Sequence, residues 1–240
     1  MAMEPVGPVV VGVDGSAGSL AALELAADEA AARVTPLVVV CAGERDVAVA
    51  QAVAEHPALS VTGQLVQGDP ADAILEASRG ADLVVLGPRR GDRSAPSVEL
   101  RVLSRVRVPL IVFRPFDAPA EGALPRPVLV GVVGEPSDDL VAFAFAEAAL
   151  RGTALHALFV DADGAAATDQ LQPDALTIWS EKYPEVVVSS SIRRGVDAAV
   201  ALAAASRSAH LVVVEAGAVA TGLVHLAGCP VAVVPVSSHD

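Results

Sequence analysis

The sequence predicts an α/β fold made of two tandem, doubly wound parallel-sheet domains with helices on both faces. Short apolar runs alternate with Ala-rich stretches of helical length, which is the pattern of strand-helix-strand units around a parallel sheet. The same order of elements occurs twice in the 240 residues. Hydrophobic residues make up 53% of the chain and charged residues 19%, so each copy has enough apolar side chains to bury a sheet on both faces.

The first copy begins with an apolar strand that ends in a glycine turn, followed by an Ala-rich helix that closes on Arg33. Later strands are predicted by short runs of Val and Leu, and a later helix by a Gly-Asp-Pro turn. The predicted strands of this copy lie within residues 8–15, 36–40, 83–86 and 109–113, and the later helix opens within residues 66–72.

The second copy repeats this order after a Pro- and Gly-containing segment. Its first helix closes on Arg151, and its other elements lie within residues 127–134, 154–160, 194–210, 211–214 and 230–234. Duplication of one domain is the simplest explanation of this repeated order. The sequence therefore predicts a first domain at residues 1–115, a linker at residues 116–126 and a second domain at residues 127–240.

Charge and targeting signals limit the partners. The formal net charge of −13 disfavours nucleic acid and anionic membrane surfaces, which need clusters of Lys and Arg. The start of the chain lacks a signal-peptide pattern, and Pro230 and Pro235 would break the uncharged segment 216–238 as a spanning helix. We expect a cytoplasmic protein in which Cys41 and Cys229 are small buried hydrophobes.

A candidate site lies where the first strand ends, at Asp14, Gly15 and Ser16. One interpretation is turn chemistry, with Ser16 or Ser19 capping the helix that follows. The other is a ligand site, because the free amides of a helix start attract anions. Ligands of doubly wound sheets bind beyond the carboxyl ends of the strands, which also points to the turn after Val40 and to residues 87–97.

Residues 87–97 read Gly-Pro-Arg-Arg-Gly-Asp-Arg-Ser-Ala-Pro-Ser. A phosphate clamp would use such residues, because glycine admits close backbone approach, arginine offers fork-shaped donors and a terminal serine can donate. A solvated basic loop that binds no ligand is an equally good interpretation of these residues. The candidate residues in this loop are Gly87, Arg89, Arg90, Gly91 and Ser97.

The first copy resembles the universal stress protein family over nearly its whole length, through Val-Val-Val-Gly-Val-Asp-Gly-Ser at 9–16, Gly-Asp-Pro at 68–70 and Val-Pro-Leu-Ile-Val at 108–112. The second copy resembles it through its strands and through residues 179–186. The resemblance implies adenine nucleotide alpha hydrolase-like domains. In nucleotide-binding members, an aspartate ending the first strand contacts adenine or ribose, and a glycine-rich loop after the fourth strand wraps the phosphates.

Carried over by position, Asp14 matches that aspartate, Gly87 the first loop glycine and Ser97 the terminal hydroxyl. The loop departs from the family pattern elsewhere, since Arg90 and Pro96 replace its second and third glycines and it is about four residues too short. In the second copy Val133 replaces the aspartate, and Glu215, in a very short loop, would repel phosphate. We expect any nucleotide site to lie in the first domain only.

Other chemistry-bearing residues form no catalytic set in the sequence. The five histidines lack metal-ligand spacing or a matched nucleophile, and the serines at 189–191 are interpreted as solvated. Trp179 and Tyr183, four residues apart on a helix, are expected to make a packing contact at a domain interface rather than to stack on a ligand. A redox function is disfavoured because Cys41 and Cys229 lack a nearby resolving cysteine.

These observations favour a non-enzymatic stress-response or signalling protein with eroded nucleotide loops and no required cofactor. The alternative is an adenine nucleotide sensor or slow ATPase that binds ATP or AMP in the first domain. The resemblance also implies that the two domains pair within the chain through their final strands, and the Val-rich strand at 230–234 would need such cover. A homodimer and a protein partner of unknown identity are compatible with this hypothesis.

Overall fold

The computed structural model describes residues 7–42, 45–88, 97–116, 125–161 and 174–236. The chain divides into two compact units, Met1–Arg114 and Pro115–Asp240. Each unit is a parallel sheet with helices between successive strands, so the predicted α/β class is confirmed.

The first unit has five parallel strands in the order β3-β2-β1-β4-β5. The elements are β1 (Val9–Val13), α1 (Ala17–Arg33), β2 (Leu37–Cys41), α2 (Arg45–Glu55), β3 (Val61–Leu65), α3 (Pro70–Ala77), β4 (Leu83–Leu86), α4 (Val98–Leu103) and β5 (Leu110–Val112). The chain winds from β1 outward to β3 and then crosses to β4, on the other side of β1.

The second unit repeats this winding with the order β8-β7-β6-β9-β10. The elements are β6 (Val128–Val132), α5 (Asp138–Leu150), β7 (Leu155–Asp161), α6 (Asp174–Lys182), β8 (Val188–Arg194), α7 (Ala198–Ser206), β9 (Leu211–Glu215), α8 (Ala218–Leu226) and β10 (Val231–Val234). The central strands of both units are almost wholly buried, as parallel strands covered on both faces must be.

The two copies share details of core packing. A Cβ atom on Gly12 of β1 would lie 2.8 Å from Cδ1 of Ile74 in α3, so the helix side chain rests on the bare strand backbone. Gly131 of β6 is in the same position, where a Cβ would lie 2.6 Å from Cδ2 of Leu202 in α7. Glycine at this strand position therefore sets how closely the third helix of each unit approaches its sheet.

Helix starts are fixed by side-chain caps at the carboxyl ends of strands. Ser16, one of the two residues predicted to cap α1, and Ser137 accept hydrogen bonds through Oγ from the backbone N–H of Ser19 and Leu140, at 3.1 and 3.2 Å. The cap of α3 is the carboxylate of Asp69, which accepts from two backbone amides. These caps determine the residue at which each turn ends and its helix begins.

The end of the first helix is built the same way in both units. In α1 the buried carboxylate of Glu29 binds Arg33, and in α5 that of Glu147 binds Arg151. The next residue has a left-handed backbone in each case, with φ of 56° at Val34 and 58° at Gly152. The side chain of Val34 is 90% exposed.

The aromatic residues of α6 pack on their own unit. Trp179 and Tyr183 stack with ring centroids 6.0 Å apart, and Tyr183 lies 5.9 Å from the core ring of Phe145 in α5. The expected packing contact is present, and it lies inside the second unit. Lys182 Nζ is 4.0 Å above the Trp179 ring, which closes this cluster with a cation–π contact.

The cysteines agree with their predicted role as buried small residues. Cys41 and Cys229 are both inaccessible to solvent, and burial raises the pKa of the Cys229 thiol to about 12. A thiol protonated at neutral pH is a poor nucleophile. Within the described ranges no helix has the length and apolar character needed to cross a membrane.

Candidate ligand site at the strand ends of the first unit

The first unit has a crevice where its strand order reverses. The connections from β1 and β4 leave in opposite directions, so their carboxyl ends border an open space of the kind in which doubly wound proteins bind ligands. A cavity of about 230 Å³ lies there. Its lining includes Val13, Asp14, Ser16, Ser19, Val40, Val66, Pro70, Ile74, Leu86, Gly87, Pro88, Ser97, Val98 and Glu99.

The turn that follows β1 holds Asp14 at the rim of this cavity. Asp14 Oδ1 accepts a hydrogen bond from the Ser16 amide at 2.9 Å, and the Asp14 amide donates to Ser19 Oγ at 3.2 Å. Gly15 has φ of 76°, a conformation that glycine adopts without strain. The turn-and-cap chemistry expected for this segment is therefore present, and it fixes an exposed carboxylate at the entrance of the crevice.

Gly87 has a packing role of its own at the end of β4. A Cβ atom there would lie 2.9 Å from three backbone atoms, the carbonyl oxygen of Gly18 and the Cα and N of Ser19. The chain leaving β4 thus lies directly against the first turn of α1, and Pro88 contacts Gly18 in the same place. This close approach requires glycine whether or not a ligand binds.

Ser97 returns the chain to the cavity at the start of α4. It is buried, and its Oγ accepts a hydrogen bond from the Leu100 amide at 3.2 Å. A hydroxyl that accepts in this way keeps its own hydrogen for a donor bond to another group. The structure thus brings Asp14, Ser16, Gly87 and Ser97 to one cavity, with Gly15 in the adjoining turn. The other predicted site residues, Arg89, Arg90 and Gly91, lie outside the described residues.

Sequence reasoning missed an ion pair in the cavity wall. Glu99 in the first turn of α4 is only 3% exposed, and its Oε1 lies 3.5 Å from Nη2 of Arg114, which follows β5. A glutamate near a helix start is ordinarily a solvated partner of the helix dipole, so its type and position gave no sign of burial. The only sequence signal is its place two residues after Ser97, between apolar neighbours.

In the second unit, a carboxylate from a different strand lies at the start of the first helix. Val133 stands where the first unit has Asp14, and Glu215 at the end of β9 accepts a hydrogen bond through Oε1 from the Ser137 amide at 2.8 Å. Ser137 is the cap of α5, so an acidic side chain already occupies the start of that helix. The Asp14 carboxylate makes the same bond to the amide of Ser16, the cap of α1, and repulsion of phosphate by Glu215 stays a prediction.

The fold and the cavity define a class, the doubly wound α/β proteins with a crevice at the strand reversal. The universal stress protein Rv2005c of Mycobacterium tuberculosis is 32% identical to the chain over 94% of this chain and 96% of the relative. A second, Rv3134c of the same organism, is 31% identical over 80% of this chain and 82% of its own length. The chain belongs to the universal stress protein family.

Solved structures support the same fold along the whole chain. A universal stress protein from Archaeoglobus fulgidus matches with a TM-score of 0.67 and 19% identity over 98% of both chains. A functionally unknown protein from Pseudomonas aeruginosa matches with a TM-score of 0.65 and 15% identity over 96% of this chain and 92% of the other. No model of a known protein family matches the chain.

Proposed function

We propose that this universal stress protein acts in stress response or signalling by binding rather than by turnover, and that nucleotide binding is confined to its first unit. The observation that carries the proposal is the difference between the copies. Asp14 in the first unit borders a cavity with an exposed carboxylate, whereas Val133, which has no polar side chain, stands at the matching position of the second unit. The strand framework is otherwise the same in both.

The composition of the cavity supports binding over chemistry. Among its described lining residues there is no histidine or cysteine to act with a nucleophile. The hydroxyl oxygens of Ser16 and Ser97 are engaged as helix caps. Likewise, the described part of the chain contains no group of His, Cys, Asp and Glu that would hold a metal ion.

An adenine nucleotide such as ATP or AMP is the ligand that fits these walls best, and this favours a sensor as the specific role. Val40, Val66 and Ile74 offer apolar surface for a flat base. The carboxylate of Asp14 at the rim can accept hydrogen bonds from ribose hydroxyls or an exocyclic amine. On the Glu99 side of the cavity Arg114 is already paired with that carboxylate and so attracts phosphate only weakly; we therefore place the nucleoside part there.

Calorimetry with ATP, ADP and AMP tests the sensor. We expect at least one of them to bind the wild-type chain and Asp14→Ala to weaken that binding by about tenfold or more, since a hydrogen bond to a charged group is lost. Val133→Ala, at the matching position of the second unit, is the control and should leave the affinity unchanged. Absence of heat and of thermal shift at millimolar nucleotide would eliminate the sensor.

Turnover is tested separately by phosphate release from ATP. We expect no release above that of the buffer alone. Release that disappears in Asp14→Ala would establish a slow ATPase in the first unit and contradict the non-enzymatic proposal.

A further inference from the structure

A second groove lies on the sheet face of the second unit, beneath α7. It has a volume of about 350 Å³ and is unrelated to the strand-end cavity of the first unit. Residues from β6, β7, β8 and α7 line it, namely Leu129, His156, Leu158, Ser191, Arg193 and Ala205, among others.

His156 is held at this groove by two serines. Its Nδ1 lies 2.9 Å from Ser189 Oγ and its Nε2 lies 2.9 Å from Ser191 Oγ. The parallel register places His156 beside Ser189 and Leu158 beside Ser191, so alternate side chains of β7 and β8 share one face. Ser189 is exposed, as the sequence predicted, and Ser191 is half-buried; both also bond the His156 ring.

A fixed positive charge adjoins this cluster. Arg193 follows Ser191 by two residues on β8 and also lines the groove. Burial, and secondarily the charge of Arg193, lower the pKa of His156. Among the described lining residues only His156 and Arg193 carry titratable groups, because the others are Pro, Leu, Ala and Ser. The groove thus presents a neutral imidazole beside a cation.

The first copy lacks this cluster, although its strands have the same register. β1 pairs Val10 with Val38 of β2, and β6 pairs Leu129 with His156 of β7, so Val38 is the counterpart of His156. By the same comparison, Thr62 and Gln64 of the first unit correspond to Ser189 and Ser191. The imidazole between two hydroxyls is thus specific to the second unit.

We propose that this groove binds a small organic anion, a carboxylate on a short aliphatic chain, and that a proton is taken up from solvent as it binds. The buried side chains of Leu129 and Leu158 form an apolar floor, and the alanines of α7 leave room for the aliphatic part. The carboxylate lies beside Arg193, which supplies fork-shaped charged donors.

Proton uptake follows from the hydrogen bonds of the imidazole. A neutral ring has one N–H donor and one acceptor nitrogen, so one of the two serines must donate its hydroxyl hydrogen to the ring. A carboxylate nearby favours the charged ring, in which both nitrogens donate to the serine oxygens. The hydroxyl hydrogen of Ser191, which lines the groove, is then available to the anion.

The test is an NMR titration of the full chain with butyrate, following the histidine ring protons. His156→Val, which restores the residue of the first copy, identifies the His156 signal. We expect butyrate to shift this signal and to raise the pKa of His156, and Arg193→Gln to weaken binding by about tenfold. Arg194→Gln makes the same charge change on the opposite face of β8 and should leave the affinity unchanged.

Two further probes separate the parts of the proposal. Butanol, which is neutral, and inorganic phosphate, which lacks the aliphatic part, are both expected to bind more weakly than butyrate. Three results would each overturn the proposal. The His156 signal could stay unshifted at the highest soluble concentration of butyrate, butanol or phosphate could shift it as much as butyrate does, or Arg194→Gln could weaken binding as much as Arg193→Gln. Circular dichroism of each variant shows whether the fold is retained.

Discussion

Val34 and Gly152 occupy the same position, one residue after the buried Glu–Arg pair that ends the first helix of each unit. Both have a left-handed backbone, which costs a β-branched residue roughly 1–2 kcal/mol and costs glycine little. The Val34 side chain is almost fully exposed, so it gains little from packing in return. Val34 is therefore a strained residue in the first unit, and the second unit avoids the same strain with glycine.

Val34→Gly is expected to stabilise the protein. Relief of the backbone strain exceeds the added chain entropy of glycine, and the net gain in the free energy of unfolding should be about 0.5–1 kcal/mol. Urea unfolding followed by circular dichroism measures it. The reciprocal Gly152→Val should destabilise the chain by a similar amount or more, and a loss of stability in Val34→Gly would contradict this account.

Residues whose roles are local could be predicted from the sequence, and those whose roles depend on register could not. Ser16 and Ser137 precede apolar helices directly, so their capping follows from position alone. His156 and Ser191 are far apart in the chain and meet only because β7 and β8 pair in one register. The burial of Glu99 likewise depends on where α4 lies.

At the scale of elements, two ion pairs join α3 and its cap residue to α4 and the turn that follows it. Nη1 of Arg101 lies 2.7 Å from Oδ2 of Asp69, and Nη1 of Arg105 lies 2.7 Å from Oδ1 of Asp72. The hydrogen bond from Arg101 lowers the pKa of Asp69. Both helices contribute walls of the first-unit cavity, so these pairs help to fix its shape.

Arg101→Gln is expected to lower stability at neutral pH but not in acid. The pKa of Asp69 is lowered in the folded state, so its pair contributes stability above the ordinary value of 3.8. This contribution is lost as pH falls from there through the lowered pKa, because the carboxyl becomes protonated. Urea midpoints of wild type and variant should therefore differ at pH 7 and converge well below pH 3.8. A difference that persists in acid would show that Arg101 acts through packing.

Strand boundaries differ from the sequence-based ranges by one residue for a physical reason. Pro36, Pro109 and Pro230 were placed inside their strands, yet β2, β5 and β10 begin one residue later. Each proline carbonyl accepts a hydrogen bond from the neighbouring strand, from Val9, Val84 and Val212 respectively. Proline has no N–H with which to complete the ladder, so it borders the strand without belonging to it.

For the whole molecule, duplication and fold class followed from the recurrence of apolar runs, because parallel strands buried on both faces leave a simple pattern. What covers the final strands could not be predicted in this way, because Val and Ile side chains require burial but do not specify the partner that buries them. Pairing of the two units through β5 and β10 within one chain therefore stays a prediction.

Sedimentation of the full chain tests that prediction. If β5 and β10 pair with each other within the chain and no other surface associates, the protein should sediment as a single chain of 24.2 kDa at micromolar concentration. A mass of two chains would show a homodimer, and in that case cross-links between β5 and β10 that join two different chains would contradict pairing within one chain.

Val133 in place of an aspartate leaves the strand ends of the second unit without the carboxylate that the proposed nucleotide site uses. A nucleotide bound at the Asp14 cavity would add stability that grows with its concentration. The melting temperature of the first unit would then follow the energy status of the cell, and the nucleotide would give the second unit no such dependence.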